Sequence, residues 1–318
     1  MNKLLHLLQD GRFHSGRELG NALGVSRGSV WKYLRDIEEE FDVELHRVRG
    51  RGYRLKNPLS LFSRELLEPG LRLLNWHLHL YDSLDSTNAE ALRLLQAQTA
   101  IPLVVLAEAQ TAGRGRRGRT WVSPAAQNLY LSLAYRITGG MQQLSGLSLV
   151  AGLAVKDALH RIGIAGVGLK WPNDVYVGGK KIAGVLLELT GDPADICHVV
   201  IGVGINVNML FSDDDIDQPW TSLRAQQGSL IDRNKLVLQL GESLHSHLQR
   251  HAELGFAEMR LEWEACHIWQ GRECALSTAS RQVNGVVLGV DDQGALRLLV
   301  DGHEQVFSGG ELSLRLAT

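Results

Sequence analysis

The sequence predicts an α+β protein in three units: an N-terminal winged helix-turn-helix over residues 1–57, a central mixed α/β domain over 64–268, and a small C-terminal β-barrel over 271–318. Three observations carry this expectation. Helical periodicity broken by glycine turns, then an arginine-rich hairpin, fills the first unit. Apolar strands and amphipathic helices alternate through the second. Short alternating segments around Asn284-Gly285, Asp291-Asp292-Gln293-Gly294 and Gly309-Gly310 make the third all-β.

In the first unit, Leu4, Leu5, Leu7 and Leu8 give a short helix its apolar side, and Gly11 is placed to end it. Ser15-Gly16-Arg17-Glu18 has the spacing of a capping box, with Leu19, Ala22 and Leu23 on the buried face behind it. Gly24-Val25-Ser26 then supplies a tight turn. Val30, Leu34, Ile37 and Phe41 recur at helical spacing and predict a third helix, which would offer Arg27, Ser29, Lys32 and Arg35 to a DNA groove. Val43 to Leu55 alternates as a hairpin with Arg49 and Arg51 at its glycine-rich tip, the wing of a winged helix. Recognition helix and wing gather Lys/Arg at 27, 32, 35, 47, 49, 51 and 54, where phosphates would lie. Docking of a protein is the alternative use of the same geometry. The net charge of −2 conceals eleven Lys/Arg against eight Asp/Glu in residues 1–57 and 22 against 27 in the rest, so the amino end is the basic end. Asn57-Pro58-Leu59-Ser60 reads as a linker.

The densest positive charge lies in the second unit, where Gly113-Arg114-Gly115-Arg116-Arg117-Gly118-Arg119 holds four arginines and three glycines in seven residues. Glycine lets backbone N–H groups approach a ligand, and each guanidinium offers a rigid fork matched to phosphate or carboxylate. Arg/Gly repeats are also found in disordered nucleic-acid-binding segments. Strand-like runs on both sides, Leu103 to Ala107 and Leu129 to Ala134, favour a loop inside a folded domain. Asp85-Ser86-Thr87-Asn88-Ala89-Glu90 opens a helix, with Thr87 and Glu90 spaced as a second capping box. Ser86, Thr87 and Asn88 serve there either as caps or as a cluster for an uncharged polar ligand group.

Farther on, Leu144 to Leu159 predicts a long helix, and Gly168 to Asp174 a strand ending in a Pro-Asn-Asp turn from which Lys170 projects a point charge. Gly178-Gly179 joins a hairpin whose return strand, Lys181 to Thr190, carries Gly184. Gly202 and Gly204 thin one side of the strand His198 to Val207, with Asn206 and Asn208 at its end. Residues 209–220 form an acidic loop with Asp213, Asp214, Asp215 and Asp217, ending in Pro219 and Trp220. Helices follow over Asn234 to Leu254 and Phe256 to Cys266.

Several function classes lose support. The chain has no G-x-x-x-x-G-K-[ST], lacks the third glycine of a dinucleotide fingerprint, and contains neither G-x-S-x-G nor H-E-x-x-H, so a metal site is not expected. No apolar run approaches a membrane span. Cys197, Cys266 and Cys274 form no C-x-x-C pair or even disulfide set, which fits a cytoplasmic location.

Gln110 with Gly113 to Trp121, then Lys170-Trp171-Pro172-Asn173-Asp174, then Lys181-Ile182-Ala183-Gly184-Val185-Leu186 resemble, in that order, the signature blocks of biotin-protein ligases. With a winged helix in front, the whole resembles the bifunctional class that is both biotin ligase and biotin-operon repressor. The resemblance implies that ATP activates biotin as biotinyl-5′-AMP, which passes biotin to a lysine of a biotin carboxyl carrier protein. It implies Mg2+ accompanying ATP, an SH3-like C-terminal barrel, repression of biotin-synthesis genes with the adenylate as corepressor on operator DNA, and a homodimer when the adenylate is bound.

Carried over, it gives Ser86, Thr87, Asn88 and Gln110 to the ureido end of biotin. Arg114, Gly115 and Arg116 close over biotin and phosphate, Lys170 neutralises carboxylate and α-phosphate, and Gly184 and Gly204 line the biotin pocket. Catalysis falls to Lys170, Arg116 and Arg114. Nucleotide binding falls to Arg116, Arg119, Trp121, Asn173, Lys181, Asn206, Trp220 and Arg315. The acidic loop at 213–217 departs from the mixed charge common in the family. Two other readings use the same residues: a DNA-binding sensor that holds a small molecule without catalysis, and a lipoate ligase, against which the Arg/Gly block argues.

Overall fold

The computed structural model describes residues 2–41, 43–137, 140–191, 197–211, 216–277, 282–308 and 312–316. The expected Asp213–Asp215 stretch of the acidic loop and the Gly309-Gly310 turn lie outside the described residues.

Helices α1 (Asn2–Leu8), α2 (Gly16–Leu23) and α3 (Arg27–Phe41) precede a hairpin of β1 (Leu45–Val48) and β2 (Gly52–Leu55). Leu4, Leu5, Leu8, Leu19, Val30, Leu34, Ile37 and Phe41 form their core, the set that helical periodicity selects. Ser15 and Glu18 close the reciprocal capping box of α2, and Gly24 ends that helix in the left-handed region at φ 69°. Ser26 Oγ accepts from the Ser29 N–H at 3.1 Å and starts α3.

The central sheet has seven strands: β3 (His77–Leu84), β4 (Leu103–Gln110), β5 (Leu129–Ile137), β6 (Val167–Lys170), β7 (Asp174–Val177), β8 (Lys180–Gly191) and β9 (Cys197–Ile205). Their order is β3-β4-β5-β9-β8-β7-β6. β3 and β4 run parallel, with α5 (Thr87–Gln96) between them in sequence, and all other neighbours are antiparallel. α4 (Arg64–Leu73), α6 (Leu147–Arg161) and α8 (Arg233–Leu254) contribute Leu67, Leu71, Val150, Leu153, Leu236 and Leu240 to a core shared with Val104, Leu106 and Val203 of the sheet. On the opposite face α5 buries Ala91 against Leu103, Val105, Ala134 and Val200. The sheet beyond α5 on that face opens into a cleft. Short helices α7 (Leu223–Gln227) and α9 (Arg260–Glu264) complete the helical elements.

The last unit comprises β10 (Glu273–Ser277), β11 (Gln282–Val290), β12 (Leu296–Val300), β13 (His303–Phe307) and β14 (Ser313–Leu316), antiparallel in the order β13-β12-β11-β10-β14. Among the described residues β13 and β14 are not paired with one another, so the expected barrel is a five-stranded sheet open between them. Cys274, Leu276, Val287 and Leu298 join the central core, which ties this unit to the cleft.

Two elements are shorter than periodicity predicts. The helix expected from Leu144 begins at Leu147, because Gly146 adopts φ 68° and interrupts the helical path. The helix expected over 256–266 divides into a 3-10 turn, Ala257–Met259, and α9.

Candidate active site

A cleft of about 1100 Å³ crosses the uncovered face of the sheet. Side chains two residues apart along a strand share a face. Gly184, Leu186 and Glu188 of β8 therefore line up beside Val200, Gly202 and Gly204 of β9, in a register that pairs Gly184 with Gly204 and Leu186 with Gly202. The Trp121 ring rests on this glycine floor: a Cβ at Gly204 would stand 2.6 Å from it and one at Gly184 3.3 Å. A Cβ at Gly202 would collide with the Asn88 amide. Gly202 thus admits a polar side chain of the protein itself.

One end of the cleft is neutral and polar. Ser86 is the N-cap of α5 but makes no side-chain cap bond, and Thr87 donates its backbone N–H to Gln110 Oε1 at 2.9 Å. Gln110 Nε2 donates in turn to Ser123 Oγ at 2.9 Å. Ser132 Oγ, buried on β5, lies 2.8 Å from Thr87 Oγ1 and 2.6 Å from Asn88 Oδ1. The expected Thr87–Glu90 capping box is absent. Thr87 is drawn down onto the sheet, while Glu90 accepts from Tyr81 Oη at 2.8 Å and Arg93 Nε at 2.7 Å. Of the two open readings for Ser86, Thr87 and Asn88, simple capping is the one without supporting side-chain bonds.

The other end is cationic. Asp174, at the start of β7, lies 2.7 Å from Lys181 Nζ and 3.9 Å from Lys170 Nζ. Lys170 also stands over the Trp269 ring at 4.7 Å and donates to Tyr176 Oη at 3.4 Å. Burial pushes the Lys170 ammonium below its ordinary pKa against the pull of Asp174, and Lys181, Arg315 and Arg119 push it the same way as burial. One carboxylate among several cations leaves the region short of negative charge.

The Arg/Gly loop closes into a compact hoop, with Gly115 N–H on Arg119 O at 2.7 Å and Trp121 N–H on Gly113 O at 2.9 Å. Arg117 takes φ 60° at its apex. Arg116 turns inward and donates to Asn173 Oδ1 at 3.1 Å and to the Leu312 carbonyl at 3.4 Å, bridging loop, central sheet and last unit. Arg114 turns the other way, 3.2 Å from Glu188.

Every ligand-binding residue expected from the sequence lines this one cleft: Ser86, Thr87, Asn88, Gln110, Arg114, Gly115, Arg116, Arg119, Trp121, Lys170, Asn173, Lys181, Gly184, Gly204, Asn206, Trp220 and Arg315. Three of them differ in setting from the roles expected. Trp121, assigned to the nucleotide, lies on Gly184 and Gly204, the glycines assigned to biotin. Asn173 spends its amide on Val185 O at 2.6 Å and on Arg116, and Asn206 donates to Thr221 O at 3.1 Å, so both hold cleft elements in place. Sequence reasoning missed Ser123 and Tyr176, each two residues beyond a motif, and Ser132 and Glu188, which become neighbours of the motifs through strand register. Three ligating His, Cys, Asp or Glu side chains do not gather anywhere among the described residues.

At the amino end Arg27, Lys32 and Arg35 are exposed on α3 and Ser29 is half-buried, its hydroxyl 2.9 Å from Ser26 Oγ. Arg49 and Arg51 are exposed at the wing, and Arg51 lies over the Phe13 ring at 4.4 Å. Arg47, counted among the phosphate-facing cations, pairs instead with Glu38.

Residues 80–206 match the model of the biotin/lipoate A/B protein ligase family, residues 1–54 an HTH domain, and residues 271–315 the biotin protein ligase C-terminal domain. The bifunctional ligase/repressor BirA of Salmonella typhimurium is 37% identical over 316 residues, 99% of this chain and 97% of that protein. The protein of the same description from Bacillus subtilis is 32% identical over 301 residues, 93% of this chain and 92% of its own length. The biotin protein ligase of Aquifex aeolicus, solved in complex with biotin and ATP, superposes with a TM-score of 0.67 at 31% identity, covering 76% of this chain and 99% of that one. No helix among the described residues is long and apolar enough to cross a membrane. Similarity of this extent, running through winged helix, cleft and last sheet alike, means that the chain belongs to the biotin protein ligases of the bifunctional ligase/repressor type.

Proposed function

We propose that the cleft binds biotin at its neutral end and ATP at its cationic end, and joins them there. The observation that carries this reading is the grouping of Lys170, Lys181 and Arg116 around Asp174 at one end of a cleft whose other end is a hydrogen-bonded network of neutral groups. A biotin carboxylate oxygen attacks the α-phosphorus of ATP, pyrophosphate leaves, and biotinyl-5′-AMP forms. The amine of an acceptor lysine on a biotin carboxyl carrier protein then attacks the acyl carbon, AMP leaves and an amide results.

Ser86, Thr87, Asn88 and Gln110 read the ureido ring, and Gly184 and Gly204 with Trp121 flank the bicycle and its tail. Lys170, Lys181 and Arg116 stabilise the charge that develops between carboxylate and phosphate, the kind of preorganised electrostatics that is commonly the largest catalytic contribution. Arg114 and Gly115 close over the product and keep water from the anhydride. Arg119, Trp220 and Arg315 meet the nucleotide, while Asn173 and Asn206 position their neighbours. Mg2+ enters with ATP. The described carboxylates lining the cleft, Asp174 and Asp217, do not make a dedicated cage, and Asp174 is already paired with Lys181, so the phosphates hold the ion.

Residues 1–57, 64–268 and 271–318 act as three units, the first binding operator DNA through Arg27, Ser29, Lys32, Arg35, Arg49 and Arg51. The adenylate-bound form represses biotin-synthesis genes as a homodimer, since paired half-sites are what such helices read. A cytoplasmic location fits Cys197, Cys266 and Cys274, which form no disulfide among the described residues.

The test is exchange of labelled pyrophosphate into ATP. It is expected only when biotin is present, and its absence with biotin, ATP and Mg2+ supplied would refute catalysis and leave a ligand sensor. Removal of residues 1–57 is expected to leave exchange intact while abolishing salt-sensitive DNA binding in a mobility-shift titration. Retained DNA affinity would move the DNA surface elsewhere.

A further inference from the structure

We propose that Glu188 is a positioning residue that sets the hydrogen-bond polarity of the neutral end of the cleft and holds Arg114 of the Arg/Gly loop. This rests on the biotin-ligase reading above. Glu188 lies on the same face of β8 as Gly184 and Leu186, which line the cleft, and stands just beyond them, its two oxygens divided between partners. Oε2 accepts from Asn88 Nδ2 at 2.7 Å, and Oε1 lies 3.2 Å from Arg114 Nη1.

An ionised carboxylate only accepts hydrogen bonds, so the Asn88 amide must turn its NH2 to Glu188 and its Oδ1 toward Ser132. Asn88 Oδ1 also only accepts, and therefore takes the single hydroxyl proton of Ser132 at 2.6 Å. Ser132 Oγ is then left to accept from Thr87 Oγ1, 2.8 Å away. Thr87 spends its proton on Ser132 in preference to Gln110 Oε1, which lies at 3.2 Å and already receives the Thr87 backbone N–H. The hydroxyl protons of Thr87 and Ser132 and the Asn88 amide thus run toward Glu188, with the Leu186 carbonyl a second, longer acceptor 3.4 Å from Asn88 Nδ2. The Thr87 hydroxyl oxygen keeps lone pairs as acceptors, the polarity needed for the N–H of a cyclic urea. Gly202 is part of the device, since a side chain there would displace Asn88.

Glu188→Gln tests this with little change of shape. A carboxamide facing both partners has two choices. Its oxygen toward Asn88 sets an NH2 against the Arg114 guanidinium, which releases the loop. Its NH2 toward Asn88 turns the Asn88 amide over and reverses the chain, so that Thr87 donates into the cleft. The first choice keeps the polarity but frees Arg114 of the loop that closes over biotin, the second reverses the polarity at the ureido end, and by either route KM for biotin in pyrophosphate exchange is expected to rise at least about tenfold. KM for ATP and kcat at saturating biotin are expected to stay within about twofold.

An unchanged KM for biotin, or an equal rise in both KM values, overturns the proposal. Ser132→Ala provides a second arm if the first variant folds poorly: it cuts the chain and leaves Glu188–Arg114 intact. It is expected to raise KM for biotin while leaving the rate of tryptic cleavage in the ligand-free Arg/Gly loop unchanged, and parental KM in this variant equally overturns the proposal. The unsubstituted protein run alongside separates the two levels. If it fails to exchange, the ligase reading falls; if it exchanges and the variants match it, only the role of Glu188 falls.

Discussion

Lys170→Ala is expected to lower the rate of biotin-dependent pyrophosphate exchange by about two to three powers of ten, an increase in barrier of about 3–4 kcal/mol. The ammonium is half-buried between Tyr176 and Trp269, and its pKa is already pushed down by burial and by Lys181, Arg315 and Arg119. Holding a charge there costs free energy that a bound carboxylate and phosphate offset. The sign follows directly: binding of the adenylate, an anion, must raise the Lys170 pKa toward its ordinary value, and the lysine stays protonated over a wider pH range in the complex than in the free protein. Biotin affinity alone is expected to change far less than exchange, because the interaction strengthens as charge moves onto the bridging oxygen. A variant exchanging at the parental rate would remove Lys170 from the chemistry and transfer its part to Lys181, which touches the same Asp174 from the other side.

That pair illustrates what the sequence made legible. Lys170 stood out because a Pro-Asn-Asp turn follows it and fixes the end of a strand. Lys181 is the second residue of the strand after the Gly-Gly turn, and the hairpin is legible in the sequence, but the register that brings Lys181 within 2.7 Å of Asp174 is not. Antiparallel pairing of β7 with β8, set at Asp174↔Gly184 and shifted between Val175 and Tyr176, does that. The winged helix was legible for the opposite reason: its caps and turns are local, and its core comes from one continuous stretch, Leu4 to Leu61, with buried Ala126 added from elsewhere. The Arg/Gly block announced an anion site by composition. Its two arginines nevertheless face different partners, Arg116 toward Asn173 and Arg114 toward Glu188, 57 and 74 residues along the chain. The polar network escaped notice because Ser132, a single serine in an apolar strand, acquires meaning only opposite Gly202.

Arg233→Ala is expected to destabilise the protein by about 3–5 kcal/mol, the cost of breaking a buried pair and leaving one partner uncompensated. Arg233 is fully buried at the first turn of α8, and its guanidinium is wholly engaged. Nε donates to Ser60 O at 2.6 Å, Nη1 to Asn128 O at 2.8 Å and Nη2 to Glu108, with the plane over the Phe62 ring at 4.1 Å. Glu108 takes the Phe62 N–H at 2.6 Å with its other oxygen, and Asn234 grips Leu61 O and Ser63 N–H at 2.8 Å each. The linker expected over Asn57–Ser60 is therefore clamped at its last residue and just after it, over residues 60–63, with Leu59 and Leu61 buried in the N-terminal core. Truncation strands Glu108 Oε2 and two carbonyls without donors and leaves the carboxylate's charge unpaired, while Arg233 itself stands outside the cleft lining. Urea unfolding of the variant should show the loss, and exchange below the transition should persist. DNA affinity should fall, because the winged helix would no longer be held at one orientation to the central sheet. Glu108→Gln in the Arg233→Ala background should recover part of the stability, since it removes the stranded charge. A loss below about 1 kcal/mol for Arg233→Ala alone would mean that the pair barely repays its desolvation and that burial of Leu59 and Leu61 fixes the linker by itself.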